Sequence, residues 1–171
     1  MDKPERPWSL PISVAEIPDS GGHYDLAADA SVRDAVATLA GIRALSRLEA
    51  SFDLARHGEG VAVRGEVRAQ AGQTCVVTLE PIESEVREAV DLVFAPPEEA
   101  PGGRPARRKK GEAPEPLENG MVDLGVIATE FLVLGLDPYP RKEGAEFSRP
   151  RSAADEGVGP FAALGALKKR P

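Results

Sequence analysis

The chain has 171 residues, 42% of them hydrophobic and 29% charged, ordinary values for a soluble globular protein. Its 21 basic and 28 acidic residues leave a net charge of −7, which excludes a uniformly basic nucleic-acid binder. A single cysteine excludes an intramolecular disulfide and a cysteine-rich zinc site. No apolar run approaches the roughly 18 residues of a membrane span, and Met1–Arg6 lacks the apolar stretch of a secretory signal. These features predict a cytoplasmic protein with no membrane partner.

The segment from Trp8 to Ile17 alternates loosely and contains Pro11, which cannot donate to a central ladder, so it reads as an edge strand. Pro18-Asp19-Ser20-Gly21-Gly22 is a loop signal. Ser31 is the predicted N-cap of a short helix, with Asp34 completing a capping box. Val32, Ala35, Val36, Leu39 and Ala40 follow helical spacing, and Gly41 supplies the stop. Strand-like runs follow. Leu48, Ala50, Phe52 and Leu54 alternate with charged or polar neighbours, and Val61, Val63, Gly65, Val67 and Ala69 do the same after the His57–Gly60 turn. Ala71-Gly72-Gln73 breaks the pattern. Cys75 to Glu80 reads as a third run, and Ile82, Val86, Val90, Leu92 and Phe94 mark a fourth. Short strands joined by tight turns make an antiparallel meander with one buried face, which needs a cover.

Residues 96–117 mix proline, glycine and charge with almost no large apolar side chain, the composition of a disordered loop. Asp123 can cap a helix running to about Leu136, with Leu124, Ile127, Ala128, Phe131, Leu134 and Gly135 as its apolar face. Asp137-Pro138-Tyr139-Pro140 ends it. Residues 141–159 are polar and read as irregular. Pro160 can open a last short helix in which Phe161, Leu164 and Leu167 align, followed by Lys168, Lys169 and Arg170. The predicted fold is therefore α+β over a single domain, residues 1–171: an antiparallel sheet covered by the helix from Asp123, with short helices at both flanks.

The sequence offers little for catalysis. Zinc takes at least three protein ligands, and only His23 and His57 accompany Cys75, so Cys75 reads as a small half-buried strand residue. Glu83 and Glu85 share a strand face with Arg87, which describes a solvated charged surface. No nucleophile-elbow, phosphate-loop or dinucleotide signature occurs. The chain reads as a non-enzyme without cofactor, metal or small-molecule substrate.

Three basic clusters stand out: Arg104, Arg107, Arg108, Lys109 and Lys110; then Arg141, Lys142, Arg149 and Arg151; then Lys168, Lys169 and Arg170. Such clusters can neutralise RNA phosphates, and equally they keep loops and tails solvated. Trp8 and Tyr139 are candidate stacking groups, although Tyr139 between two prolines also suits packing of the helix end against the sheet.

Three segments, taken in order, carry a resemblance. They are Cys75-Val76-Val77-Thr78-Leu79-Glu80-Pro81; Val122-Asp123-Leu124-Gly125 through Asp137-Pro138-Tyr139-Pro140-Arg141-Lys142; and Pro160-Phe161-Ala162-Ala163-Leu164 with its basic end. Together they resemble the YceD-like family of large ribosomal RNA subunit accumulation proteins, and more narrowly its alphaproteobacterial subgroup. The resemblance implies a bacterial, non-enzymatic factor in the synthesis, processing or stability of 23S ribosomal RNA. Its implied partner is that RNA or a pre-50S particle; the net charge of −7 and the lack of an aromatic RNA platform carry the alternative, a module that binds a ribosomal or assembly protein and does not touch RNA. The resemblance tips the reading of Arg104, Arg107, Arg108, Lys109, Lys110, Tyr139, Arg141, Lys142, Lys168, Lys169 and Arg170 toward RNA contact. Many members carry a Cys-x-x-Cys pair and a later Cys. Here Thr78 and Phe147 stand at the two other positions, so no metal site is implied.

Overall fold

The computed structural model describes residues 6–96 and 114–147. Five strands form the main sheet in the order β2 (Gly22–Ala27), β3 (Ala44–His57), β4 (Gly60–Thr74), β5 (Pro81–Ala95) and β6 (Glu115–Pro116). All neighbours are antiparallel except β5 and β6. A separate two-stranded sheet pairs β1 (Pro11–Ser13) with β7 (Met121–Asp123). Helix α1 (Ala30–Ala40) packs on β3, and α2 (Leu124–Gly135) lies across β4 and β5. The architecture is α+β, with α2 as the cover that the one-sided strands require.

The period-two pattern is obeyed to the residue in β3 and β4. Leu48, Ala50, Phe52 and Leu54 are buried, and so are Val61, Val63, Val67 and Ala69. Phe52 pairs with Gly65, where a Cβ would lie 2.8 Å from the Phe52 ring. The missing side chain therefore makes room for the largest fully buried one. On the opposite face Arg47 pairs with Glu85, Arg64 with Asp91, Arg68 with Glu66 and Arg87 with Glu85, all solvated.

Several expectations need correction. Cys75–Glu80 is a turn and not a strand. The Leu79 N–H donates to the Cys75 carbonyl, the Cys75 N–H donates to the Glu80 carbonyl, and Leu79 has φ +62, a left-handed value no strand accommodates. The ladder instead runs unbroken through Ala71-Gly72-Gln73 to Thr74, because Ala69, Ala71 and Gln73 keep the inward alternation. Gly22–Ala27 is a strand that the loop signal before it concealed. Only Pro11–Ser13 of the segment from Trp8 to Ile17 is extended in a sheet, and a turn of 3-10 helix follows at Val14–Glu16.

The N-cap of α1 is Asp29, not Ser31: its side chain accepts the Val32 N–H at 2.9 Å, and the Ser31 hydroxyl donates to it. This leaves Asp34 outside any capping box. The buried pair in α1 is Val36 and Ala37, while Leu39 points outward at 60% exposure. Gly41 does end the helix, at φ +66.

In α2 Leu124, Ile127, Ala128 and Leu132 are buried, whereas Leu134 is 75% exposed. The i, i+4 spacing from the capped start selects Leu132 over Leu134. Asp123 caps α2 as expected, and it also ties the preceding chain to the helix. Its carboxylate accepts from the Ser9 hydroxyl at 2.6 Å, the Leu10 N–H at 2.8 Å and the Val126 N–H at 3.2 Å. Gly125 admits this close approach, since a Cβ there would lie 2.8 Å from the Trp8 carbonyl.

The predicted disordered loop 96–117 ends earlier than expected: Glu115–Pro116 pairs with β5, and Leu117 is buried. The rest of that loop, the segment after Phe147 and the expected helix from Pro160 lie outside the described residues.

Candidate functional site

The turn 75–80 leaves the end of β4, and the loop 136–142 leaves the end of α2. The two are joined along their length. The Val76 N–H donates to the Pro140 carbonyl at 2.9 Å, and the Lys142 ammonium reaches Glu80 at 2.9 Å. Beneath them the Gln73 amide donates to the Asp137 carbonyl at 2.9 Å. Asp137 itself accepts the Tyr139 N–H at 2.8 Å, which sets the loop's first bend. Pro140 is buried and anchors the loop, while Tyr139 stands out of it.

Tyr139 is 70% exposed, which overturns its reading as a packing residue. Pro138 before it and the buried Pro140 after it fix the backbone so that the ring is presented and not tucked away. Leu79 and Val76 are also exposed on the adjoining turn, and Arg141 and Lys142 follow Tyr139 directly. The joined loops thus expose an aromatic ring, apolar side chains and Arg141, with the Lys142 ammonium held on Glu80. Trp8, the other stacking candidate, packs partly buried against the core.

Cys75 lies in the joint and is fully buried, more so than the half-buried strand position expected of it. Its Sγ accepts the Lys142 N–H at 3.3 Å and the Thr78 N–H at 3.4 Å. The Lys142 N–H, then the Thr78 hydroxyl and N–H, pull the thiol down from 9.0 to about 6 against the opposing effect of burial. Glu80 is held below the usual carboxylate range, first by the Lys142 ammonium and then by the Thr78 hydroxyl. A thiol lowered on folding stabilises fully above its ordinary pKa and loses that contribution as pH falls toward 6. Between pH 6 and pH 9 the native protein should therefore gain melting temperature relative to Cys75→Ser. Equal pH dependence of the two melts would show that the sulfur stays neutral.

Nothing in this joint completes a metal site. Thr78 supplies a backbone N–H and a hydroxyl where a ligand would be needed, and among the described residues no group of three His, Cys, Asp or Glu side chains could hold an ion. His23 is exposed on β2, bonded to Asp53 at 2.7 Å, which with Asp25 raises its pKa; His57 ends β3. Glu83 meets Gln70 at 3.4 Å, and Glu85 serves two arginines, so the carboxylates belong to a solvated network.

Two of the three resembling segments therefore meet in space: Cys75, Leu79, Glu80 and Pro81 with Asp137, Pro138, Tyr139 and Pro140. Asp123 and Leu124 stand apart from them, at the other end of α2. Arg104, Arg107, Arg108, Lys109, Lys110, Arg149, Arg151, Pro160, Phe161, Lys168, Lys169 and Arg170 lie outside the described residues. Sequence reasoning missed Gln73, whose signal was a polar side chain at an inward position of β4. It also missed the joint exposure of Val76 and Leu79, since an alternating strand puts positions three apart on opposite faces.

Residues 63–168 match the family model described as large ribosomal RNA subunit accumulation protein YceD. The chain belongs to this family. The matched span begins within β4 and takes in β5, α2, both joined loops and most of the C-terminal segment, leaving β1, β2, α1 and β3 outside. No curated protein and no solved structure shows a match. The family is named for accumulation of an RNA and not for a reaction. No helix among the described residues is long and apolar enough to cross a membrane.

Proposed function

We propose that this protein supports the accumulation of 23S ribosomal RNA by binding that RNA, or the pre-50S particle forming on it, without catalysing a reaction. The observation that carries the reading is the surface of the joined loops 75–80 and 136–142. Tyr139 is exposed there beside Arg141 and Lys142, within the span that defines the family. A rigid ring can stack on an unpaired base, and the adjacent Arg141 can hold its phosphate. Base–aromatic stacking contributes about 1–3 kcal/mol per base, enough for one such ring to matter. The basic residues at 104, 107–110 add sequence-independent attraction. The acidic balance of the whole chain opposes indiscriminate coating of RNA and favours contact through these few points.

Crosslinking of the protein to RNA in growing cells, followed by sequencing, tests this directly. Fragments concentrated in 23S RNA or its precursor are expected, together with a lowered ratio of 23S to 16S RNA on deletion. Background recovery, with the protein still sedimenting with pre-50S particles, would replace the RNA contact by a protein-mediated one. An unchanged ratio would remove the role in accumulation altogether.

A further inference from the structure

A groove of about 880 Å³ runs between α2, the far end of β5 and the segment carrying β6 and β7. Its floor is apolar: Leu92, Phe94, Ile127, Phe131 and Leu134 line it. Its rim carries Glu115 and Glu130, while Glu118 is paired with Arg6 at 3.6 Å. The groove exists because α2 is apolar on more than one side. Thr129 and Glu130 are its only polar residues, and with Leu124, Ile127, Ala128 and Leu132 buried, Phe131 is left half-buried and Leu134 exposed. A helix of that kind needs partners on both flanks. The acidic rim repels RNA and selects a basic, amphipathic occupant.

The chain itself contains such a segment. From Pro160, the residues Phe161, Leu164 and Leu167 recur at helical spacing, and Lys168, Lys169 and Arg170 follow at once. Three large apolar side chains match the floor in kind, and the cations match Glu115 and Glu130 in charge. Twelve residues separate Phe147 from Pro160, which at about 3.3 Å each can span roughly 40 Å. A domain of about 125 residues has a radius of gyration near 14 Å and so a diameter of about 36 Å, which is comparable to that span. The family match runs to residue 168 and so includes this segment in the unit that defines the family.

We infer that the C-terminal segment 160–170 docks in the groove between α2 and β5–β7, with Phe161, Leu164 and Leu167 on its floor and the terminal cations at its acidic rim. The cations of this segment are then engaged within the chain, and RNA contact falls to the other two clusters. The docking does not depend on RNA, so its test uses the purified full-length protein alone.

In a Cys75→Ser background, Leu134→Cys places a thiol in the groove and Leu164→Cys places one in the segment. Treatment with a short bismaleimide at low protein concentration should link the two within one chain. A control pairs Leu164→Cys with Asp25→Cys, on β2 at the opposite edge and outer face of the sheet. A docked segment should link to the groove about ten-fold more than to the control site, through its higher effective concentration. Comparable linking of both pairs would overturn the inference. Linking between two chains only would also overturn it, and would assign the groove to a second copy.

Discussion

Phe52→Ala is expected to lower the free energy of unfolding by about 3–5 kcal/mol, a large share of the roughly 5–15 kcal/mol that holds a domain of this kind. Phe52 is fully buried at the centre of β3. Its cross-strand neighbour is Gly65, which has no side chain to move into the vacated volume, and the close-packed β4 backbone cannot shift without breaking the ladder to β5. The cavity should therefore persist, and its cost should sit at the upper end of the range for ring removal. Denaturant unfolding of the two proteins measures it, with the midpoint falling and the slope unchanged. A loss below about 1 kcal/mol would mean that neighbouring side chains collapse into the space, contrary to the packing described here.

Replacing Arg107, Arg108, Lys109 and Lys110 by Ser is expected to flatten the salt dependence of binding to a 23S RNA fragment. Each phosphate neutralised contributes about 0.7–0.9 to the slope of log affinity against log salt, so four contribute roughly 3. Over a fourfold rise in salt, the native protein should then lose roughly fifty- to hundredfold more affinity than the variant. Titrations of a labelled fragment at several salt concentrations decide the matter. Equal slopes would mark this cluster as a solvated tether and leave RNA contact to the joined loops. A changed slope with an unchanged Tyr139→Ala variant would instead make the contact electrostatic, with no stacking.

How much of this could be read from the chain varies by element. β3 and the first part of β4 were legible because their inner residues alternate strictly, and a half-buried sheet imposes that pattern. Helix α2 was legible from Asp123 and the Asp137-Pro138 stop. The turn at Cys75–Glu80 was not, because Val76, Val77 and Thr78 favour strands, and only the left-handed Leu79 and the bonds to the loop 136–142 override that preference. β2 was hidden for a similar reason: its pairing with β3 is long-range, and Tyr24 and Leu26 offer too short an alternation to announce it.

The candidate site divides the same way. The sequence by itself determined which residue types are present: one cysteine, no catalytic signature, three separated basic clusters and an ordered set of segments shared with a family. It also determined an α+β chain with one-sided strands that require a covering helix. Only the tertiary structure decided that the turn after β4 and the loop after α2 are a single surface. It alone decided that Tyr139 faces solvent, that Cys75 is sealed beneath Lys142 and Thr78, and that Leu134 overlooks a groove while Leu132 fills the core. Those outcomes depend on hydrogen bonds and packing between segments more than sixty residues apart. Local propensity and periodicity carry no record of such bonds, because the partner that satisfies each donor is chosen only when the sheet and helix have come together.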